Sequence, residues 1–464
     1  MQKTPFKRSL LASSIRTALV GSGAALAMVA AGPAAADEMD DLKDQVRVLM
    51  DRIDQLEGNQ EVIEAQVDAV PANVVTDPAM PGTFKLPGSN TEVEVSGYIK
   101  LDAFYDFEED LGRSFQFTRI APDSITTAGG ARIANPVTEI NPHFRMHTAQ
   151  SRFRIRSNTD LGNGKELKTH VEGDFYGGEG TQTFSNSNHF RLRHAYATYP
   201  IAGGTFLAGQ TWTNFMDFVA YATTIDFFGQ VGKSFVRQAQ VRWTWGGLSF
   251  SIENPQTSFT NASTTATGLV SADELPDFTV AWRGGPGGSG GNYEIAAVLR
   301  DLGVNNGLPG NLGGLDESEF GWGVNLAGSW ALGETVSLAA SWTGGEGIGR
   351  YNGFQAGNGL FVRTNGSVEA VKSWSASAWL NFAWSDTSSS NLVFGHVEND
   401  DPARSNGNDH ITGVHLNYLW NPYPGATWGV EAIWGERETV INGAGSALGE
   451  GDNWRLQMGF QQSF

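Results

Sequence analysis

Two short segments of the chain carry arginine at every second position. The first contains Arg152, Arg154 and Arg156, and the second contains Arg191 and Arg193. A planar guanidinium group donates paired hydrogen bonds to carboxylates and phosphates, so a cluster of arginines can bind and orient anions. Alternate residues of a β-strand point to the same face, and each set is therefore expected to project from one side of a strand.

Apolar side chains alternate with these arginines. Phe153 and Ile155 separate the first set, and Phe190, Leu192 and Tyr196 are assigned to the opposite face of the second. A strand with lipid on one side and water on the other needs this period of two. The arginines are therefore predicted to face a water-filled interior.

Other basic residues share the inward parity, and the strands that carry them follow one another in the sequence. Sequential strands are usually neighbours, so these side chains are expected to form one basic wall: Lys100, Arg152, Arg154, Arg156, Lys168, His170, Arg191 and Arg193. Carboxylates with the same parity offer an alternative, in which they neutralise the wall as structural ion pairs: Asp102, Asp106, Glu166, Glu172 and Asp174. Both interpretations remain open.

The period of two continues from Glu92 to the C-terminus. The final segment, Trp454 to Phe464, alternates and ends on phenylalanine, as bacterial outer-membrane barrels do. Short and long connections also alternate, and the last long one is expected to run from Gly435 to Asn453. Such alternation is a rule of these barrels and not of soluble sandwiches. The sequence predicts an all-β fold, a 16-stranded antiparallel transmembrane β-barrel, with strands centred near Ile99, Ile155, Val171, Leu192, Leu207, Val241, Phe250, Val280, Ala297, Val324, Leu338, Ala378, Phe394, Leu416, Val430 and Met458.

The residues before the barrel divide into three parts. Residues 1–36 have a basic start, an apolar core and a small-residue cleavage site, which predicts a signal peptide. Residues 37–70 carry a heptad seam that predicts an α-helical coiled coil and an oligomer, or alternatively one amphipathic helix lying on its own barrel. Residues 71–91, rich in Pro and Gly, form a linker, and residues 92–464 form the barrel.

Composition excludes several classes of protein. The formal net charge is −19, which argues against a nucleic-acid partner. The chain has no cysteine, which excludes disulfides and thiol chemistry. His143 and His147 lack the glutamate that a zinc-protease helix needs, and no nucleophile elbow is present. We therefore expect no enzymatic activity, no cofactor and no metal site.

A ring of sixteen strands encloses a lumen too wide for side chains to fill, which favours an aqueous channel. The connection from Thr213 to Ser234 is too apolar for a loop in open water. It is expected to fold into the barrel and narrow the pore, with Phe218 in the constriction and with Asp217 and Asp226 fixing the loop or setting the field. A contact between subunits is the alternative for its aromatic part.

Several barrel motifs resemble the N-terminal strands of DcaP-like outer-membrane porins. They are residues 96–102 (SGYIKLD), 151–153 (SRF), 171–175 (VEGDF), 191–196 (RLRHAY) and 207–217 (LAGQTWTNFMD). The resemblance implies a homotrimer of 16-stranded channels with a periplasmic helical extension and a preference for anions such as dicarboxylates. It also implies that Arg152, Arg154, Arg191 and Arg193 lie on the pore wall.

The expected function is a diffusion channel in the Gram-negative outer membrane for small hydrophilic solutes, favouring anions. Its expected partners are membrane lipid, small anionic solutes and two further copies of the chain, with the N-terminal segment in the periplasm. The alternative is a structural outer-membrane anchor, tethered to the periplasm by the coiled coil and without significant transport.

Overall fold

The computed structural model describes residues 82–126, 132–134, 141–181, 183–262, 268–306, 315–352, 357–400, 407–440 and 448–464. The predicted signal peptide, the coiled coil and most of the linker lie outside the described residues and stay predictions. Within the described ranges, no helix has the length and apolar character needed to cross a membrane.

Sixteen strands form one closed antiparallel barrel, as the sequence predicts. Each strand pairs with its neighbours in the chain, and the ring closes where the first strand pairs with the last, Leu101 opposite Phe460. The strands are β1 Thr91–Asp106, β2 Arg152–Gly162, β3 Lys165–Glu179, β4 Asn188–Ile201, β5 Gly204–Trp212, β6 Arg237–Trp245, β7 Leu248–Glu253, β8 Asp277–Gly284, β9 Asn292–Asn305, β10 Asp316–Ala331, β11 Val336–Glu346, β12 Lys372–Ser385, β13 Ser388–Asn399, β14 Asn408–Trp420, β15 Ala426–Val440 and β16 Leu448–Ser463. Every predicted strand centre lies inside its strand.

Strand β16 shows why these segments form a barrel wall. Trp454 and Leu456 are 50% and 42% exposed, whereas the intervening Arg455 and Gln457 are each 1% exposed. The exposed apolar face suits lipid, and the polar face is buried inside the ring among other polar groups. The alternation in the sequence therefore maps directly onto the two sides of the wall.

Turns at one end of the barrel are short. Strands β6 and β7 are joined by Gly246 and Gly247 alone, and Gly246 has φ +57°, a conformation that glycine adopts without strain. The other end carries the long connections. The expectation that residues 435–453 form one long loop is wrong, because β15 continues to Val440 and β16 begins at Leu448. Backbone pairing continues past the apolar belt, since a strand beyond the lipid needs no apolar side chains.

A β-bulge in β4 changes which side chains face inward. Glu172 of β3 pairs with His194 and the next residue, Gly173, pairs with Leu192, so Arg193 is an extra residue. The prediction that Tyr196 faces lipid is wrong, because its hydroxyl lies 3.1 Å from Nδ1 of the inward-facing His170. One inserted residue reverses the parity of everything that follows it.

Candidate functional site

The connection between β5 and β6, residues 213–236, is called the third connection below, and it crosses the lumen. Its backbone carbonyls accept hydrogen bonds from side chains of distant strands: Ile225 O from Lys100 Nζ of β1 at 2.7 Å, and Ala220 O from Trp379 Nε1 of β12 at 3.0 Å. Because these strands lie across the ring from β5 and β6, the segment lies inside the barrel.

Asp226 and Glu431 hold the tip of the third connection. Asp226 is 2% exposed, and its carboxylate accepts hydrogen bonds from the backbone N–H groups of Phe115 at 2.8 Å and Phe228 at 2.9 Å. Glu431 of β15 accepts from the N–H groups of Ile225 and Asp226 at 2.9 and 3.0 Å. Charged acceptors for backbone donors give strong hydrogen bonds, so the tip is fixed to the wall and to the first connection, 107–151.

Gly232 lets the returning part of the third connection approach the barrel wall. Its φ is +77°, and a Cβ there would lie 2.5 Å from the carbonyl oxygen of His396 and 2.7 Å from that of Ala376. Any larger residue would push the segment toward the lumen. A close approach of this kind leaves the remaining open space on the opposite side, against β2, β4 and β6.

Asp217 lies at the start of the third connection and is fully buried. It accepts a hydrogen bond from Ser341 Oγ of β11 at 2.9 Å. Burial raises the pKa of Asp217 to about 7, and the nearby Glu294 carboxylate acts in the same direction. Asp217 therefore carries little charge below neutral pH and acts mainly as an attachment point for the connection.

The raised pKa of Asp217 predicts a pH dependence of thermal stability. An aspartate in the unfolded chain has a pKa of about 3.9, so unfolding releases a proton between that value and about 7. The stability from the neutral carboxyl is fully present below pH ~4 and is lost as pH rises to about 7. Thermal unfolding of Asp217→Asn should lose this slope, and Ser341→Ala is the matched control that keeps the carboxyl. An unchanged slope in Asp217→Asn would contradict the assignment.

A cavity of about 530 Å³ remains between the third connection and the barrel wall. Its wall side is basic and its loop side is largely aromatic. The charged and aromatic residues that line it are Tyr98, Arg152, Arg191, Arg193, Trp212, Phe218, Tyr221, Asp226, Phe227, Phe228, Lys233, Phe235 and Arg237. The cavity therefore presents cations to a solute on one side and flat apolar rings on the other.

Arg191 and Arg193 are paired with carboxylates of β3. Arg191 donates to both oxygens of Asp174, at 2.9 and 2.7 Å. Arg193 donates to Glu172 at 2.7 Å and to Asp174 at 3.2 Å. Phe227 of the third connection lies 5.1 Å and 5.7 Å from the two guanidinium carbons. For these two arginines, the ion pairs that the sequence offered as an alternative are present.

The arginines of β2 have weaker or more distant partners. Arg152 lies 3.4 Å from Glu172, and its Nε is buried without a hydrogen-bond partner in the described part of the chain. Arg154 donates from Nε to Ser96 Oγ at 3.1 Å. Arg156 pairs with Glu94, and Lys168 pairs with Glu166 at 2.9 Å, both nearer the short-turn end of the barrel. Of the predicted basic residues on β2 and β3, only Arg152 lines the cavity.

Sequence reasoning missed Arg237 and Lys233. Within the described residues, Arg237 forms no ion pair and its Nη1 has no hydrogen-bond partner. Lys233 donates a hydrogen bond to the Phe228 carbonyl, and it also forms no ion pair within the described residues. Counting in twos along β6 from the exposed Val241 places Arg237 on the lipid face. A residue at the end of a strand need not keep that alternation. The feature that could have indicated these two cations was Lys233 itself, a basic residue in an otherwise apolar connection close to Arg237 in the sequence.

A closed barrel with an apolar outer wall, a polar interior and a long connection folded into its lumen defines a porin-like outer-membrane channel. Residues 29–246 match the family model described as DcaP outer membrane protein. This match spans 218 of the 464 residues and agrees with the resemblance that the strand motifs indicated. No curated protein sequence matches the chain.

One solved outer-membrane channel shares the fold. The outer membrane channel DcaP of Acinetobacter baumannii superposes with a TM-score of 0.65 at 21% identity, covering 82% of this chain and 99% of that one. An anion-selective porin from Comamonas acidovorans is 14% identical, covers 81% of this chain and 100% of its own, and has a TM-score of 0.48. The 21% identity to the Acinetobacter baumannii channel shows likeness of fold alone.

Proposed function

We propose that the chain forms an outer-membrane diffusion channel for small hydrophilic solutes, with a preference for anions such as dicarboxylates. The observation that carries this proposal is the excess of positive charge around the cavity beside the third connection. Arg237 and Lys233 add two cations without carboxylate partners to a wall whose other arginines are already paired.

The charge balance favours an anion in the cavity. Five cationic side chains line it, whereas the carboxylates that contact them or line the cavity number three: Glu172, Asp174 and Asp226. Asp226 also lies 3.6 Å from Arg455 Nη1, so its charge is shared with a cation outside the cavity. A passing carboxylate would therefore meet guanidinium and ammonium groups with unfilled hydrogen-bonding capacity.

Reversal potential in a planar bilayer across a salt gradient tests the proposal. Anion selectivity that weakens in the double variant Arg152→Ala, Arg154→Ala would support it. Cation selectivity would mean that the inward carboxylates dominate, and a protein that inserts but does not conduct would favour the outer-membrane anchor instead.

Glu172→Gln is expected to increase anion selectivity. Glu172 accepts from Arg193 at 2.7 Å and lies 3.4 Å from Arg152, so the substitution removes a negative charge beside two cations and leaves Arg193 paired with Asp174 alone. The anion-to-cation permeability ratio should rise by roughly tenfold, because a unit charge about 6 Å from a solute in a water-like dielectric contributes ~0.7 kcal/mol to the anion and the opposite amount to the cation. Glu166→Gln is the control, because Glu166 pairs with Lys168 away from the cavity. A ratio that falls in Glu172→Gln would contradict the charge assignment.

We also propose that the chain forms a homotrimer, with residues 37–70 and the short turns of the barrel on the periplasmic side of the membrane. The coiled-coil pattern and the family resemblance support this arrangement. Cross-linking of the protein in native outer membranes should give a trimer, and deletion of residues 37–70 should reduce its yield if the helices contribute to association.

A further inference from the structure

A cluster of imidazole and carboxylate groups lies on the outer wall of the barrel at the long-connection end. It is formed by β13, β14 and β15, on the same face as the exposed Leu416 of β14 and Val430 of β15. Trp374 pairs with Glu398, which itself pairs with His410, so this tryptophan lies in the same row as the cluster. Trp434 lies one step nearer the apolar belt than Glu436, opposite Val414. The cluster therefore lies at the outer edge of the membrane-facing aromatic residues, where the wall meets water and lipid headgroups.

A β-bulge brings two of its members together. Asn408 pairs with Thr439 and His410 pairs with Glu438, so Asp409 is an extra residue between consecutive positions of β15. Asn408 is buried in the interior, whereas Asp409 and His410 are both partly exposed. The bulge places their side chains side by side, which a regular strand does not allow, and bulges are frequent next to functional sites.

Three potential ligand atoms converge at this point. Nδ1 of His410 lies 3.1 Å from an oxygen of Asp409 and 3.4 Å from an oxygen of Glu438. One ligand atom from each of the three residues lies within 4.8 Å of the other two. Ligands bound to one ion at about 2.0–2.2 Å stand roughly 3–4 Å apart, so small side-chain movements would close the set around a metal.

A fourth residue orients the imidazole. Nε2 of His410 lies 3.3 Å from an oxygen of Glu436, on the opposite side of the ring from Asp409 and Glu438. A proton held on Nε2 by this carboxylate leaves the Nδ1 lone pair directed at two further carboxylates. Carboxylates that bond the second nitrogen of a metal-ligating histidine are a regular feature of metal sites, since they fix its tautomer and orientation.

The neighbouring His396 packs against one face of the His410 ring. The two imidazole centroids are 5.8 Å apart with their planes inclined by 29°, and His396 itself packs against Trp374. Nδ1 of His396 lies 2.9 Å from Thr412 Oγ1 and its Nε2 lies 3.6 Å from Glu398, so both nitrogens face groups outside the converging set. His396 is therefore a packing partner of His410 in this arrangement.

We propose that Asp409, His410 and Glu438 bind a divalent first-row transition-metal ion of the Zn²⁺ type, with Glu436 orienting His410. One imidazole and two carboxylates occupy three positions and leave the remaining positions to water. The imidazole nitrogen favours Zn²⁺, Co²⁺ or Ni²⁺ over Ca²⁺ and Mg²⁺, which prefer oxygen ligands. The sequence predicts no metal, because adjacent Asp and His residues carry no metal-site spacing until the bulge and the pairing with β15 bring Glu438 to them.

Binding of Zn²⁺ to the full-length protein in detergent tests the proposal, with a chelator-treated sample titrated in a calorimeter. We expect one saturable site per chain, with His410→Ala and Glu438→Gln each weakening binding by at least tenfold. Glu436→Gln should weaken it by about tenfold through loss of ring orientation. Glu398→Gln is the matched control, because this carboxylate lies on the same face outside the converging set, and it should leave the affinity within twofold.

Co²⁺ absorption provides a second readout that does not depend on affinity alone. The wild-type protein should give visible bands of a nitrogen-coordinated ion, and these should disappear in His410→Ala while the barrel keeps its heat-resistant migration on a gel. Three results would overturn the proposal: no saturable Zn²⁺ binding, equal loss in Glu398→Gln and Glu438→Gln, or Ca²⁺ binding as tightly as Zn²⁺. The last two would indicate a diffuse acidic surface.

Discussion

Arg237→Gln is expected to lower the anion-to-cation permeability ratio by about tenfold or more, since a unit charge ~6 Å from a solute contributes ~0.7 kcal/mol at ε ≈ 80 and ~2.8 kcal/mol at ε ≈ 20, with opposite signs for the two ions. Arg237 lines the cavity and forms no ion pair within the described residues, so its charge is not offset locally. The measurement is reversal potential across a salt gradient.

Dissolved salt should screen the charge of Arg237. The Debye length is about 10 Å at 0.1 M salt and about 3 Å at 1 M, so the effect should shrink at high salt. Arg363→Gln is the matched control, because it makes the same change of charge at an exposed ion pair with Glu369 in a long connection. Equal effects of the two substitutions would show that overall charge, and not the cavity, determines selectivity.

Asp226→Ala should release the third connection and increase single-channel conductance. The carboxylate accepts from the N–H groups of Phe115, Phe228 and Gly229, and it lies 3.6 Å from Arg455 Nη1. Removing one partner from a buried charged network costs roughly 3–5 kcal/mol. We therefore expect a lower thermal unfolding temperature together with larger and noisier single-channel currents.

The control for this effect is Asp217→Asn in the same connection. Asp217 accepts one hydrogen bond, from Ser341, and its pKa of about 7 means that a neutral side chain is already native-like in mildly acidic buffer. Recorded at pH 6, Asp217→Asn should conduct as the wild type does. If Asp226→Ala lowers stability but leaves the currents unchanged, the third connection does not limit the pore.

The architecture could be read from the sequence because the controlling signal is local. Lipid outside and polar groups inside impose a period of two on each strand, and Trp454 to Phe464 shows that period without reference to any other part of the chain. The same local rule located all sixteen strands. It failed at Tyr196 and Arg237, where a bulge and a strand end alter the alternation.

The candidate site was only partly predictable because its chemistry depends on partners that are distant in sequence. The alternation indicated that Arg191 and Arg193 face inward, but the pairing of β3 with β4 decided that Asp174 and Glu172 offset them. The inward fold of the third connection was expected from its apolar composition, whereas Phe115 and Glu431 as its attachment points were not.

The sequence by itself determined the class of fold, the number of strands and the basic character of one part of the lumen, because hydrophobic alternation and composition are properties of contiguous residues. Tertiary structure decided which positive charges remain unpaired, where the third connection lies, and that Asp409, His410 and Glu438 converge. A single extra residue in a strand, or a partner more than a hundred residues away, leaves no mark on the local pattern. Both nevertheless determine which side chains meet.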